Sequence, residues 1–114
     1  MIHTTQHEPD ITVVRPGAER LTAANATEFK AEVVALIEQG HSQLIVDFTA
    51  VSFLDSSGLG ALVGVLKKIG HRGDLLVCGM NGDVEQMFRV CRMDRVFSMH
   101  RDVDTALRDL KERP

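Results

Sequence analysis

Apolar positions change their period several times along the chain, and each change marks an element. Ile11, Val13 and Arg15 alternate with Thr12 and Val14 in a short strand that Pro16-Gly17 ends, after a turn at Glu8-Pro9-Asp10. Ala26, Phe29, Val33, Leu36 and Ile37 then recur at helical spacing as far as Gly40, with Asn25 and Glu28 spaced as a capping box. Leu44-Ile45-Val46 is an unbroken apolar run, the pattern of a strand buried on both faces, and residues 51–54 continue toward the centre. From Gly58 the period is helical again: Leu59, Leu62, Leu66 and Ile69 form one stripe, and Gly70 offers a left-handed stop.

Leu75-Leu76-Val77-Cys78 reads as another buried strand, and Asn81 as the cap of a helix with Val84, Met87, Phe88 and Cys91 on one face. Residues 96–99 form a weaker strand, after which Asp102 caps a last helix with Val103, Ala106, Leu107 and Leu110 on its apolar side. Strands and helices alternate four times, with one or two extra strands at the N-terminus. Alternation of this kind predicts an α/β fold with a mixed, mostly parallel sheet of four to five strands, about four helices, and right-handed crossovers. With 114 residues, one domain over 1–114 accounts for the whole length.

Composition narrows the function. Apolar residues make up 44% and charged residues 25%, ordinary globular usage rather than the signature of disorder. Thirteen Lys and Arg against sixteen Asp and Glu give a formal net charge of -3, with no basic stripe for phosphates. Trp and Tyr are absent and aromatics supply 4%, so stacking platforms for bases are lacking, and nucleic acid is not an expected partner. The longest uncharged stretch, residues 56–66, falls well short of the roughly 20 residues of a spanning helix. The polar N-terminus lacks the regions of a signal peptide, so a cytoplasmic location is expected. Cys78 and Cys91 form no CxxC pair, sit in apolar patterns and are expected as reduced core residues.

Candidate chemistry concentrates in Asp55-Ser56-Ser57-Gly58-Leu59-Gly60, where a buried strand gives way to a helix. Unpaired N–H groups and the positive end of the helix dipole favour an oxygen ligand or an anion there. Capping of the helix explains one of the three polar residues. Three in succession, followed by Gly58, leave at least one hydroxyl free for modification. Gly60 and Gly64 lie one turn apart beside Ala61, and an interior helical glycine costs about 1 kcal/mol against Ala. Two compensations fit: close packing on a helix of the same domain, or a flat surface beside Ser56 for a helix of another protein.

The run Asp47-Phe48-Thr49-Ala50-Val51-Ser52-Phe53-Leu54-Asp55-Ser56-Ser57-Gly58-Leu59-Gly60-Ala61-Leu62 resembles the signature of STAS domains, specifically the bacterial anti-sigma factor antagonists. The segment from Leu21 to Phe29 is similar to the family's approach to its first helix, and Leu75-Leu76-Val77-Cys78-Gly79 to its next strand. The resemblance implies a STAS fold and a partner-switching regulator that is not an enzyme. Its unmodified form binds an anti-sigma factor with serine kinase activity and frees a sigma factor. Phosphorylation of the first serine, here Ser56, reverses this, and a metal-dependent serine phosphatase restores it. The implied partner surface comprises Leu21, Thr22, Asp55, Ser56, Ser57, Gly58, Gly60, Ala61 and Gly64, in a monomer or weak dimer. Thr22 stands where the family commonly has Asp, keeping a hydrogen bond but no charge. The same fold also serves as a scaffold or regulatory subunit in stressosome, phosphatase-regulated and transporter-associated complexes, the alternative role.

Other chemistries fit the chain less well. Leu54 stands where a G-x-S-x-G nucleophile elbow requires glycine, and no P-loop or GxGxxG is present, so no cofactor is expected. His3 and His7 have i, i+4 spacing without further ligands; His3, His7, His41, His71 and His100 read as solvated or turn residues, and no metal is expected. Met87 and Met93 read as core or rim.

Overall fold

The computed structural model describes residues 1–113. Strands β1 (His3–His7), β2 (Ile11–Arg15), β4 (Gln43–Asp47), β6 (Asp74–Cys78) and β7 (Ser98–His100) form one sheet in the order β1-β2-β4-β6-β7. A two-stranded ribbon joins β3 (Arg20–Leu21) to β5 (Phe53–Leu54), and the helices are α1 (Ala26–Glu38), α2 (Ser56–Ile69), α3 (Gly82–Val90) and α4 (Val103–Glu112). Only β1 runs antiparallel, paired with β2 from His3 opposite Arg15 to His7 opposite Ile11. The parallel register places Val13 beside Ile45 and Ile45 beside Leu76.

Pleating divides the strand residues between two cores. Val14, Leu44, Val46, Leu75 and Val77 pack with Phe29, Leu62 and Phe88 from α1, α2 and α3. Ile11, Val13, Ile45, Leu76 and Cys78 meet Ala106, Leu107 and Leu110 of α4 on the opposite face. Strands β2, β4, β6 and β7 advance steadily across the sheet, so right-handed crossovers place α1, α2 and α3 together on one face, leaving the other to α4. Because the order never reverses, the described strands have no topological switch point.

Several local expectations change. The stretch 51–54 does not extend the main sheet. Phe48 N donates to Cys78 O and Val51 N to Phe48 O, turning the chain outward, where Ser52 N reaches Glu19 O and only Phe53–Leu54 pair with β3. The predicted capping box also fails to form. Asn25 Oδ1 accepts from Thr22 N at 2.9 Å and Asn25 Nδ2 donates to Arg20 O at 2.8 Å, so this side chain closes the preceding loop. The weak strand over 96–99 shifts to Ser98–His100, because Arg92 takes φ 59° and starts a 3₁₀ turn over Met93–Arg95. Cys78 is buried as expected, but Cys91 is exposed: α3 ends at Val90, and the next residue turns toward solvent.

Candidate functional site

Helix α2 begins at Ser56, three residues before the first member of its apolar stripe, Leu59. Asp55 adopts extended backbone angles, φ -102° and ψ -175°, and its Oδ1 accepts from Gly58 N at 2.9 Å in the geometry of an N-cap. Its Oδ2 accepts from Ala23 N at 3.3 Å, its own N donates to Leu21 O at 3.2 Å, and its carbonyl accepts the first helical bond from Leu59 N at 3.0 Å. Asp55 therefore fastens the beginning of α2 to the loop that leads into α1. Capping is thus done by the aspartate, and the two serines that follow it are exposed. Among the described residues neither serine hydroxyl has a hydrogen-bond partner, so both face solvent at the positive end of the helix dipole.

Gly58 is required by contact. A Cβ there would stand 2.5 Å from Leu21 O and 2.6 Å from Leu54 Cδ1, closer than real side chains come, so glycine lets α2 rest on the ribbon. The two later glycines separate. At Gly64 a Cβ would meet Lys30 Cε at 2.6 Å, so this position packs against α1 within the chain. At Gly60 nothing lies within 4 Å. Gly60, Ser57 and Ala61 form one wall of a groove of about 490 Å³, opposite Ala23, Thr27 and Lys30 of the loop and α1. Close packing within the chain is therefore seen at Gly64, whereas Gly60 faces an open groove.

The nine residues of the implied surface do unequal work in this geometry. Ser56, Ser57 and Gly60 are exposed, and Thr22, Asp55 and Gly64 are half-buried. Leu21, Gly58 and Ala61 are buried, so they shape the surface from beneath rather than present side chains to it. The Thr22 hydroxyl accepts from Ala24 N at 3.2 Å and its carbonyl from Ala26 N at 2.8 Å, holding its own loop. That Lys30 and Ala23 line this groove was not legible in the sequence, since the face of α1 turned toward α2 is decided by tertiary packing.

A second cavity, about 500 Å³, lies beyond the ends of β2 and β4 and includes Arg15, Asp47, Thr49 and Asn81 but neither serine. Its buried carboxylate is already engaged: Asp47 Oδ1 accepts from Thr49 N at 3.0 Å and from the Thr49 hydroxyl, and Oδ2 lies 3.4 Å from Arg15 Nε. Asp47 fixes the outward turn that carries the chain toward Ser56. Burial, and secondarily the Asp47 charge, push the Cys78 thiol up to about 12, holding it protonated. Among the described residues no three His, Cys, Asp or Glu side chains are grouped to hold a metal, and no helix is long and apolar enough to cross a membrane.

The arrangement is a surface that carries an exposed hydroxyl, and comparison with known proteins agrees in fold. The anti-sigma-B factor antagonist of Staphylococcus epidermidis is 29% identical over 90 residues, 78% of this chain and 82% of that protein. The crystal structure of an anti-sigma factor antagonist from Mycobacterium paratuberculosis superposes with a TM-score of 0.88 at 21% identity, covering 98% of this chain and 94% of that one. The Bacillus antagonist SpoIIAA in its unphosphorylated form gives a TM-score of 0.75 at 18% identity over 99% of this chain and all of its own, and its phosphorylated form is also known. These two structural likenesses are of fold. The family model for the STAS domain matches residues 3–106, and the chain belongs to the STAS domain family.

Proposed function

We propose that the chain is an anti-sigma factor antagonist whose unmodified form binds a kinase-type anti-sigma factor over the Ser56 face and so releases a sigma factor. The observation that carries this reading is the division of labour at the start of α2: Asp55 caps the helix, which leaves the Ser56 hydroxyl exposed and, among the described residues, without a hydrogen-bond partner, while the next residue, Ser57, lines an open groove. The named relatives support the choice of partner. In the switched-off state the terminal phosphoryl group of ATP is transferred to Ser56 Oγ, with loss of the hydroxyl proton and release of ADP. A serine phosphatase reverses the step by hydrolysis. On this reading the protein is a cytoplasmic regulator, not an enzyme.

The energetic effect follows from charge. Phosphate adds about -1.5 to -2 charges at pH 7, next to the Asp55 carboxylate, on a surface that a partner must desolvate. The helix terminus offsets only about 0.3–1 kcal/mol of that. Burying the remaining charge without a counterion costs several kcal/mol. A net penalty near 3 kcal/mol, at about 1.4 kcal/mol per tenfold, lowers affinity more than a hundredfold. Neither the cap nor the sheet needs to rearrange.

The test uses a panel of purified kinase-type anti-sigma factors from the organism that carries this chain. Each is mixed with the protein and resolved by size exclusion, with and without ATP. The expected result is a complex with at least one factor, lost when mass spectrometry finds phosphate on Ser56 and retained by Ser56→Ala in the presence of ATP. Failure of every factor to form a complex rejects the reading.

A further inference from the structure

Large hydrophobic side chains left in solvent are few among the described residues: Met1, Phe53 at 38% exposure, Val90 at 67% and Val96 at 48%. Two of them share one concavity. Phe53 and Val90 line a slot of about 320 Å³ between β5 and α3, which Leu54, Met87, Asp83 and Gln86 complete. Scattered exposed apolar residues need no explanation, but two in one largely apolar recess mark a contact surface. The recess is also preformed. The Arg20 guanidinium stacks 4.3 Å from the centroid of the Phe53 ring, and β5 is paired with β3, so the ring cannot swing into the core.

The position of the slot identifies its occupant. Phe53 precedes Ser56 by three residues, and β5 passes through Asp55 directly into α2. Along the chain, Phe53 and Leu54 line the slot just before Ser56, and Ser57 lines the small-residue groove just after it. A stable complex covers about 800 Å² on each partner and depends on a few large anchoring side chains. The wall of Ser57, Gly60 and Ala61 offers none, so a partner seated on Ser56 finds its anchoring surface in the adjoining recess.

We infer that the β5–α3 slot receives an apolar side chain of the same anti-sigma factor, so that Ser56 lies within the interface and not at its edge. The inference rests on the function proposed above and adds the surface that supplies affinity. It also raises the penalty expected for phosphate, since a charge enclosed between two contact areas cannot remain hydrated.

The experiment measures, by calorimetry, affinity for whichever purified factor of the panel binds the wild-type chain. Val90→Asp places a charge at the rim of the slot, Met87→Ala empties it without adding charge, and Val96→Asp alters an exposed valine that does not line it; thermal melts confirm folding of each. Val90→Asp is expected to weaken binding at least tenfold and Met87→Ala several-fold, with Val96→Asp within twofold of wild type. Wild-type affinity in both slot variants, while phosphorylation of Ser56 still dissociates the complex, overturns the inference and leaves the function standing. Equal losses in Val96→Asp and Val90→Asp also overturn it, because the effect is then one of added charge. A wild-type chain that binds no factor removes the function and the inference together.

Discussion

The carboxylate of Asp55 accepts the backbone N–H of Ala23 at 3.3 Å while its other oxygen caps α2 at Gly58, so one side chain sets both the start of the helix and the distance to the loop opposite. Loss of an N-cap costs about 0.5–2 kcal/mol, and Asn replaces Asp well in that role. Asp55→Ala is expected to lower unfolding free energy by about 1–2 kcal/mol in urea titrations, and Asp55→Asn to stay within about 0.5 kcal/mol of wild type. Equal stability of Asp55→Ala and wild type would show that the cap seen here contributes nothing.

Gly58 and Gly60 lie two residues apart and should respond to alanine in opposite ways. At Gly58 the new methyl group meets Leu21 O and Leu54 Cδ1 inside 2.7 Å, and the Leu21 carbonyl cannot withdraw without moving the ribbon. Overpacking of this kind costs about 1–3 kcal/mol. At Gly60 the methyl group enters open space, and the helix gains up to about 1 kcal/mol of propensity. Thermal melts of the two variants should therefore bracket the wild type, with Gly60→Ala the more stable. The same methyl group narrows the groove beside Ser57, so Gly60→Ala is expected to gain stability and lose affinity for the anti-sigma factor.

The features that were legible beforehand are those that one residue type determines locally. Leu44-Ile45-Val46 and Leu75-Leu76-Val77-Cys78 read as doubly buried strands because two helical layers leave no polar face to show. Asn81 and Asp102 read as caps and are caps, accepting from Val84 N at 2.9 Å and Thr105 N at 2.8 Å. What stayed hidden depends on distant partners. Asn25 has the spacing of a cap, but the Thr22 and Arg20 backbone groups compete for its amide and win. The segment 51–54 has the composition of a central strand, but the Phe48 turn sends it to the ribbon. The slot shared by Phe53 and Val90 joins residues 37 positions apart, a juxtaposition no local pattern encodes.

The two thiols should differ sharply in reactivity. Cys78 is buried, its Sγ 3.9 Å from Asp47 Oδ1, and its pKa is pushed up to about 12 from an ordinary 9.0, whereas Cys91 is exposed beyond the end of α3. Thiolate is the reactive species, so iodoacetamide at pH 8 is expected to modify Cys91 in the native protein and Cys78 only after unfolding. Stability carries the same sign. The folded thiol stays neutral where the unfolded one ionises, so its contribution is complete below pH 9 and is lost as pH rises toward 12. The stability gap between wild type and Cys78→Ala should accordingly shrink above pH 9. A gap that is constant from pH 7 to 11 would contradict the placement of Cys78.

Substitutions at Ser56 distinguish a charge gate from a steric one. Ser56 is exposed and follows Asp55 in the chain, and Asp55, not Ser56, caps α2. Ser56→Ala therefore removes no bond to another described residue and should bind the anti-sigma factor as wild type does, without responding to ATP. Ser56→Glu brings one charge where phosphate brings about 1.5 to 2, so its affinity should fall between those of the bare and phosphorylated forms. Ser56→Gln has nearly the shape of Ser56→Glu and no charge. Under an electrostatic gate Ser56→Gln binds close to wild type and Ser56→Glu binds more weakly, a gap that added salt reduces little because the charge is enclosed on docking. If Gln and Glu weaken binding equally at every salt concentration, bulk rather than charge controls docking, and the role assigned to Asp55 as a neighbouring like charge is wrong.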